Sequence, residues 1–513
     1  MDNLEYLIKK GESSKKNKNL DSLHLFFTQE ELDTLSKRSI AIVGTNGKTS
    51  TANYIFNYLE TYDISVVQFT SPHLMKVNER ILSYESFNET YWLDNNKNLE
   101  GLPYDPDTSR EWITDLELDK YLELVKHFER MEKIVLGYFE ALFLIACRYF
   151  LDRNRKWFIV EAGIGGRLDT TSIINSETVV LTNVGLDHTE VLGASHIEIL
   201  KEKIHISKRV KKFYVGDSTL KISEGISKDF EFIKGEMNFD DEHIIDIQEA
   251  LSNGPVPIDV EWFIKGELNL DDEDIINIHS SHLFKDRVVL DDVNVPLDGT
   301  ELGARALKAL RISEDFRQQN HHLARAVFKD IHILEFPPPL HMRYLDEYSF
   351  GRFELLDQRA NTVKVIDGAH NGEAISAFFC TLRKALKKNA PDHVIKQIND
   401  EKYGPFECFV GLKKGKRYKA IADALIGQSD LNINISLIER DTFNEQMDPS
   451  IIAEYLTELG VEYKIATLDH FHYYSGPSIL IGSLYLVGEY KMKYPDGVRM
   501  KGWYEDADNI FHD

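Results

Sequence analysis

Short, uninterrupted apolar runs alternate along this chain with longer stretches whose apolar positions recur at helical spacing. Ser39-Ile40-Ala41-Ile42-Val43 reads as a strand, followed by a glycine-bearing turn and a helix from about Lys48 to Glu60, and Ile64 to Phe69 reads as the next strand. Phe139, Phe143, Ala146 and Phe150 fall on one helical face, which predicts a helix packed against a sheet. Trp157 to Val160 supplies a buried strand ending at Glu161, and Thr178 to Thr182 another. Apolar strands alternating with helices predict α/β architecture with mostly parallel sheets. Open sheets of this kind bind ligands beyond the carboxyl ends of their strands, so the polar residues that follow each run are the first candidates for chemistry.

The pattern also divides the chain. Pro337-Pro338-Pro339 cannot continue a helix and favours a stiff extended segment, which places a domain boundary there. Gly44 to Lys48, a glycine-bearing turn between strand and helix that ends in lysine, makes the expectation a P-loop ATPase domain with a mostly parallel sheet over residues 1–336 and a smaller Rossmann-like α/β domain over residues 340–513. Thr362 to Ile366, Phe406 to Val410 and Ser478 to Ile481 read as strands of the second. Two domains on a short linker predict a cleft that opens and closes. Inside the first domain, about residues 222–300, lies an acidic insertion in which Phe232–Glu242 recurs as Phe263–Glu273. Two copies fit a duplicated strand-turn-helix unit better than a solenoid. Their acidic ends, Asp240-Asp241-Glu242 and Asp271-Asp272-Glu273, suit solvated helix starts better than cation sites.

Composition changes this picture only by exclusion. The 513 residues are 42% hydrophobic and 28% charged, as in folded proteins, and carry a net charge of −24. That balance repels polyphosphate backbones, so nucleic acid is not an expected partner, although a small polyanion can still be handled by a few local groups. Cys147, Cys380 and Cys408 are too widely spaced for a disulfide framework or a zinc site, and suit a reducing cytosol. Met1 to Leu20 is polar and lysine-rich, and the most apolar stretch, Tyr138 to Leu151, is interrupted by Glu140 and Arg148. A cytoplasmic enzyme is expected, acting as a monomer on small molecules and without a membrane partner.

The strongest local signal is Gly44-Thr45-Asn46-Gly47-Lys48-Thr49-Ser50, between the first strand and its helix. Glycines let backbone approach phosphate, the helix start presents N–H donors, Lys48 offsets phosphate charge and a hydroxyl can ligate magnesium. The general P-loop spacing would put glycine where Ile42 stands.

Here the sequence resembles the folylpolyglutamate synthase/dihydrofolate synthase branch of the Mur ligase superfamily, whose loop reads G-T-N-G-K. Thr70-Ser71-Pro72-His73-Leu74 and Asn78-Glu79-Arg80 look like that family's S-P-H-L and N-E-R. Glu161 to Asp169 looks like its E-V-G-L-G-G-R-L-D, Gly185 to Thr189 its G-L-D-H-T, and Glu202-Lys203 the E-K of R-E-K-A-G-I. Phe350 to Glu354 parallels P-G-R-x-E, Asp367 to Asn371 matches D-G-A-H-N, and Gly482 to Glu489 resembles G-S-L-Y-L-V-G-E. The motifs stand in the family's order across nearly the whole chain.

The resemblance implies roles residue by residue. Gly44, Thr45, Asn46, Gly47, Lys48, Thr49 and Ser50 would hold ATP together with Asn320, Arg352, Asp367 and His370, clamped between the domains. Ser71, Glu161 and His188 would hold magnesium, with two magnesium sites expected, and His73 could join them. Lys48, Lys203 and His188 would serve catalysis, Lys203 as a carbamate that helps place the second magnesium. Leu168, Asp169 and Thr170 would line the folate or pteroate pocket, near Phe139 and Glu140, for which packing is the simpler role of Phe139. Read without the resemblance, Glu161 could cap a glycine turn, His188 beside Asp187 could be structural, and Lys203 could be an ordinary surface lysine. The sequence departs from the family at Thr49 for glycine, at Ile204-His205 for Ala-Gly, at Gly372 for proline, and near Gly411, where Lys413-Lys414-Gly415-Lys416 replaces D-K-D.

The implied activity is an ATP-dependent ligase that joins L-glutamate to a folate or dihydropteroate carboxylate through an acyl phosphate, releasing ADP and phosphate. A Mur-type ligase acting on another acceptor, favoured by Thr49, and a catalytically silent nucleotide-binding regulator are the alternatives.

Overall fold

The computed structural model describes residues 20–86, 110–215, 364–389, 406–428, 433–443 and 445–494, with short pieces at 6–7, 244–246, 289–290, 293–294, 320, 323–324, 327, 351 and 353–356. The repeated stretches Phe232–Glu242 and Phe263–Glu273, Pro337-Pro338-Pro339 and Arg352 lie outside the described residues. The chain forms two units, one of Met1–Glu249 with Gln319–Tyr348, the other of Ala250–Gln318 with Ser349–Asp513.

The first unit is built on β1 (Ser39–Val43), β2 (Val66–Phe69), β3 (Ile81–Tyr84), β4 (Arg110–Trp112), β5 (Trp157–Glu161), β6 (Thr178–Leu181), β7 (Lys212–Val215) and β8 (Ile244–Asp246). They form one sheet in the order β4-β3-β2-β5-β1-β6-β7-β8. From β2 to β8 all neighbours are parallel; β3 and β4 add an antiparallel edge that the apolar pattern does not announce, since β4 is Arg-Glu-Trp. Every residue of β1 is buried, because helices cover both sheet faces. The predicted helix is Tyr138–Arg153, and it packs as its spacing requires: Phe143 lies 5.6 Å from Phe69, and Phe150 stacks on Phe158 at 4.9 Å. Each such buried ring contributes about 1.5–3 kcal/mol relative to exposure. The flanking helices start where capping chemistry says they should. Thr28 with Glu31 and Thr114 with Glu117 form capping boxes at the heads of Gln29–Arg38 and Asp115–Glu132.

A two-residue antiparallel pair, β9 (Val289–Leu290) with β10 (Val293–Asn294), is described in the second unit. That unit's sheet contains β11 (Glu354–Leu355), β12 (Lys364–Asp367), β13 (Phe406–Val410), β14 (Ile433–Ile438), β15 (Tyr463–Ala466) and β16 (Ser478–Ile481), in the order β11-β12-β16-β13-β14-β15. Among the described strands only β11 is antiparallel. A core around Phe378, Phe379, Cys408, Ile421, Leu437 and Ile479 fills one side. Both units are therefore α/β with mostly parallel sheets.

Candidate active site

In the first unit, four adjacent parallel strands, β2, β5, β1 and β6, end side by side. Register pairs Ile42 with Glu161 and Val43 with Leu181, so Glu161, Gly44 and Thr182 stand next to one another where the strands run out. Ser71 follows β2 by two residues, ahead of a cis bond to Pro72. The Gly44–Gly47 loop leads from β1 into the helix Lys48–Thr61, whose N-cap is Gly47 in a left-handed conformation at φ 83°. A Cβ at Gly44 would stand 1.9 Å from Thr182 Oγ1, and one at Gly47 would stand 2.4 Å from Asn320 Oδ1. No other residue fits either place.

Asn183, which sequence reasoning did not single out, shapes the loop. Its Oδ1 accepts the N–H groups of Thr45 at 3.1 Å and Asn46 at 2.7 Å. Thr45 Oγ1 donates to the Gly185 carbonyl and accepts the Gly185 N–H, tying the loop to the Gly185–Thr189 motif. The sequence signal was that Thr182-Asn183 stands one residue, Val184, ahead of that motif.

Lys48 folds back over its own loop, with Nζ 3.0 Å from the Gly44 carbonyl and 3.4 Å from that of Thr45. Lys203, on the helix His196–Ile204, reaches the same Gly44 carbonyl at 2.8 Å. It is 3% exposed, so the surface-lysine reading fails. Burial, reinforced by the neighbouring Lys48 cation and only partly offset by Asp187 and Asp169, lowers its pKa to about 7.

Glu161 is buried at the end of β5. Thr49 Oγ1 donates to its carboxylate at 3.0 Å and the Ser71 N–H at 3.1 Å, so Thr49, Ser71 and Glu161 form one group under the loop. The glycine turn after it is held by Asp169, whose Oδ2 accepts the Ile164 N–H while Oδ1 accepts the Thr171 N–H and hydroxyl. Asp169 is thereby the N-cap of the short helix Thr170–Ile174. Its neighbours in the expected acceptor pocket differ in exposure: Leu168 is 57% exposed, Thr170 buried. Among the described residues the buried Thr170 hydroxyl has no hydrogen-bond partner. Phe139 packs 5.5 Å from Phe69 and borders Gly163, while Glu140 caps its own helix through the Gly137 N–H.

His188 stands in a left-handed conformation at φ 51°, its N–H donating to Asp187 and its Nδ1 3.8 Å from a Glu190 oxygen. His73 accepts from Arg80 Nε on Nδ1 at 2.9 Å, and burial together with the Arg80 cation pushes its pKa down to about 4. It is a neutral ring with its remaining proton on Nε2. Asn320 is 6% exposed and its Nδ2 has no hydrogen-bond partner among the described residues, a buried donor beside the Gly44–Gly47 loop.

In the second unit, Asp367 ends β12 and accepts the N–H groups of Phe353 at 2.5 Å and Ala369 at 2.6 Å, fixing the loop that carries His370. His370 Nδ1 lies 2.8 Å from the Gly368 carbonyl, and Asn371 caps the helix Gly372–Asn389 through the Ala374 N–H.

No family model matches the chain. A dihydrofolate synthase/folylpolyglutamate synthase of Buchnera aphidicola subsp. Baizongia pistaciae is 26% identical over 422 residues, 81% of this chain and 76% of that protein. The fold is that of a bifunctional folylpolyglutamate synthase/dihydrofolate synthase from Yersinia pestis, solved with AMPPNP and a manganese ion. The TM-score is 0.59 at 19% identity, over 96% of each chain. Escherichia coli FolC in complex with DHPP and ADP matches with a TM-score of 0.59 at 17% identity, over 97% of this chain and 98% of that one. With its motifs in order and its fold matched from end to end, the chain is similar in sequence and in fold to folylpolyglutamate synthase/dihydrofolate synthase proteins.

Proposed function

We propose that this protein uses ATP to form an amide between L-glutamate and the carboxylate of a folate or dihydropteroate acceptor. The observation that carries the reading is the crowding of two lysine amines, Lys48 and Lys203, on the Gly44 carbonyl of a phosphate loop that stands beside the Thr49–Ser71–Glu161 group. The relatives' bound AMPPNP, manganese, ADP and DHPP support ATP, divalent metal and a pterin-type acceptor for this chain.

A free carboxylate does not react with an amine, because its oxygen is a poor leaving group. In the reading proposed, an acceptor oxygen attacks the γ-phosphorus, and ADP leaves with the electron pair of the broken P–O bond. Glutamate's amine then attacks the acyl carbon, the C–O bond to phosphate breaks, and the nitrogen gives up a proton. Lys48 offsets charge on the transferring phosphoryl group, and the loop N–H groups orient it. Asn320 Nδ2 has an unmet donor to offer the nucleotide. Arg352, Asp367 and His370 complete the proposed nucleotide set, and Leu168, Asp169 and Thr170 the acceptor pocket.

The donors present fit magnesium. Among the described residues no three His, Cys, Asp or Glu side chains converge as a metal cage, and magnesium is ordinarily held by one or two carboxylates plus substrate phosphates and water. Glu161, Ser71 and His188 would hold it, and bound there it would neutralise phosphate charge. Lys203 deepens the proposal: its amine, with a pKa near 7, is available to add CO2, losing a proton and becoming a carbamate anion. That change would turn a repulsive neighbour of Lys48 into an attractive one and offer a carboxylate to a second metal. Among the described residues no helix is long and apolar enough to cross a membrane, and all three cysteines are thiols. We place the enzyme in the cytoplasm as a monomer.

Phosphate release with magnesium-ATP and L-glutamate, offering dihydropteroate and tetrahydrofolate separately, tests the reading. One ADP and one phosphate should accompany each amide, and Lys48→Ala should slow turnover by about 10²–10³-fold. AMP as product, or silence with both acceptors in protein that binds ATP, would sink it.

A further inference from the structure

Gly166 and Arg167, in the middle of the loop that runs from Glu161 to Asp169, carry no part of the chemistry above. They rest instead on the end of the helix His196–Ile204, the one that bears Lys203. The Arg167 N–H donates to the Glu202 carbonyl at 2.7 Å. The Arg167 guanidinium donates to Glu202 Oε1 from Nη2 at 2.6 Å and from Nε at 3.1 Å. A Cβ on Gly166 would stand 2.4 Å from the Glu202 carbonyl oxygen and 2.8 Å from Lys203 Cα, so backbone lies against backbone and only glycine fits. The Asp169 N–H donates to the Gly166 carbonyl at 2.9 Å, which closes the loop over this contact.

The contact completes the helix end. The last carbonyls of a helix have no partner within it. Here His205 Nδ1 lies 2.7 Å from the Lys201 carbonyl, the Ile206 N–H donates to that of Lys203, and the Glu202 carbonyl is taken by Arg167. A guanidinium at this end also suits the helix dipole. Lys203 follows Ile199 by four residues and Leu200 by three, so the three share one face, and all are buried. That face brings Lys203 Nζ to the Gly44 carbonyl at 2.8 Å, and the reach depends on where the helix end is held.

We infer that Arg167 and Glu202 are positioning residues for Lys203. The inference rests on the ligase reading above, in which Lys203 serves catalysis. The Arg167 side chain is 60% exposed and that of Glu202 16%, and an ion pair so open to water holds little by itself. Its place gives it effect: it closes a contact already made by two stretches of backbone, and a tilt there is carried through one turn of helix to the amine. A displacement of about 1 Å at a reacting centre can cost on the order of a hundredfold in rate.

Acetylation by sulfo-N-hydroxysuccinimidyl acetate in CO2-free buffer, read by peptide mass spectrometry on the full-length protein, tests the position of Lys203 without turnover. In wild type Lys201, exposed on the same helix, should label fast and Lys203 slowly. In Arg167→Met and in Glu202→Ala, Lys203 should label severalfold faster relative to Lys201. The kcat for amide formation should fall by about tenfold or more, with the KM for ATP and for the acceptor little changed. Glu202→Gln keeps the accepting oxygen without its charge and should lie between, and it covers the case in which the stronger variants unfold, which circular dichroism reports. Arg167→Met added to Lys203→Ala should slow the enzyme no further than Lys203→Ala alone. Lys203 as protected in folded variants as in wild type overturns the inference. So does a loss of kcat that persists in full on top of Lys203→Ala, or a raised KM for the acceptor alone, which would make Arg167 a substrate contact. Wild type that forms no amide, with Lys203 still released in the variants, would count against the ligase reading alone.

Discussion

Lys203 is the residue on which the proposed chemistry turns, and its environment gives its behaviour a sign. Its pKa in the folded protein, about 7, lies below the ordinary lysine value of 10.5, because burial and Lys48 disfavour the ammonium. Between those values the unfolded chain holds a proton that the native one has released. The cost of burying the charge is therefore full below about pH 7 and fades as pH rises towards 10.5. The reactive amine becomes available over the same window. Activity in bicarbonate-equilibrated buffer should fall as pH drops below 7, and should fall further at every pH when CO2 is stripped. A 13C carbamate signal in protein incubated with 13C-bicarbonate, absent from Lys203→Ala, is the direct check. Formate or acetate should restore part of that variant's activity by standing in for the carbamate. A CO2-insensitive wild type with an unmodified lysine would leave Lys203 as a hydrogen-bond anchor for Gly44 and nothing more.

The Gly44–Gly47 loop and the helix it leads into act as an element because Gly47 both starts the helix and lets Asn320 approach. Gly47→Ala should cost about 1–2 kcal/mol from the left-handed backbone alone and more from the clash with Asn320. Denaturant unfolding reads the first effect, and a loss of ATP affinity larger than the loss of stability reads the second. Asp169→Ala tests the other loop: with the cap gone, the N–H groups of Ile164 and Thr171 lose their partner, for a loss of about 1–2 kcal/mol. These elements differ in how far the sequence announced them. β1, β5, β6, β13 and β16 were legible because parallel strands buried on both faces are mostly apolar, Glu407 inside β13 being an exception, and the candidate chemistry follows where such runs stop. β4 was not, because this edge strand is Arg-Glu-Trp and largely open to water, and β3, Ile-Leu-Ser-Tyr, is buried but too short for its apolar residues to mark it as a strand. The burial of Lys203 was invisible as well: Lys201, Glu202 and Lys203 read as a solvated helix end, and only the approach of that end to Gly44 buries one of them. Asn183 and Asn320 meet the loop from far along the chain, through contacts that no local pattern encodes.

Each of the two units owns a core. In the first, the sheet is filled on one face around Phe69, Phe143, Phe150 and Phe158 and on another around Val43, Val179, Ile199 and Phe213; the second packs around Phe378, Phe379, Cys408 and Leu437. A chain with separate cores is not bound to unfold in one step, so a ligand's effect should be sought transition by transition. The Gly44–Lys48 loop, Asn183, Asn320, Glu161 and Lys203 all belong to the first unit. At a concentration about 100 times its Kd, a ligand that binds only the native form stabilises it by about 2.7 kcal/mol. For a unit of this size that corresponds to roughly 5–10 °C. Magnesium with AMPPNP, which cannot be turned over, should therefore raise the melting transition of the unit carrying the loop by that much. Lys48→Ala should remove most of the shift, and Glu161→Gln should remove the part that depends on magnesium, since it keeps the shape of Glu161 without its charge. Scanning calorimetry with and without magnesium separates the two contributions. A shift of equal size in Lys48→Ala would mean that the nucleotide is held elsewhere, and the assignment of Gly44–Lys48 as its phosphate loop would fall.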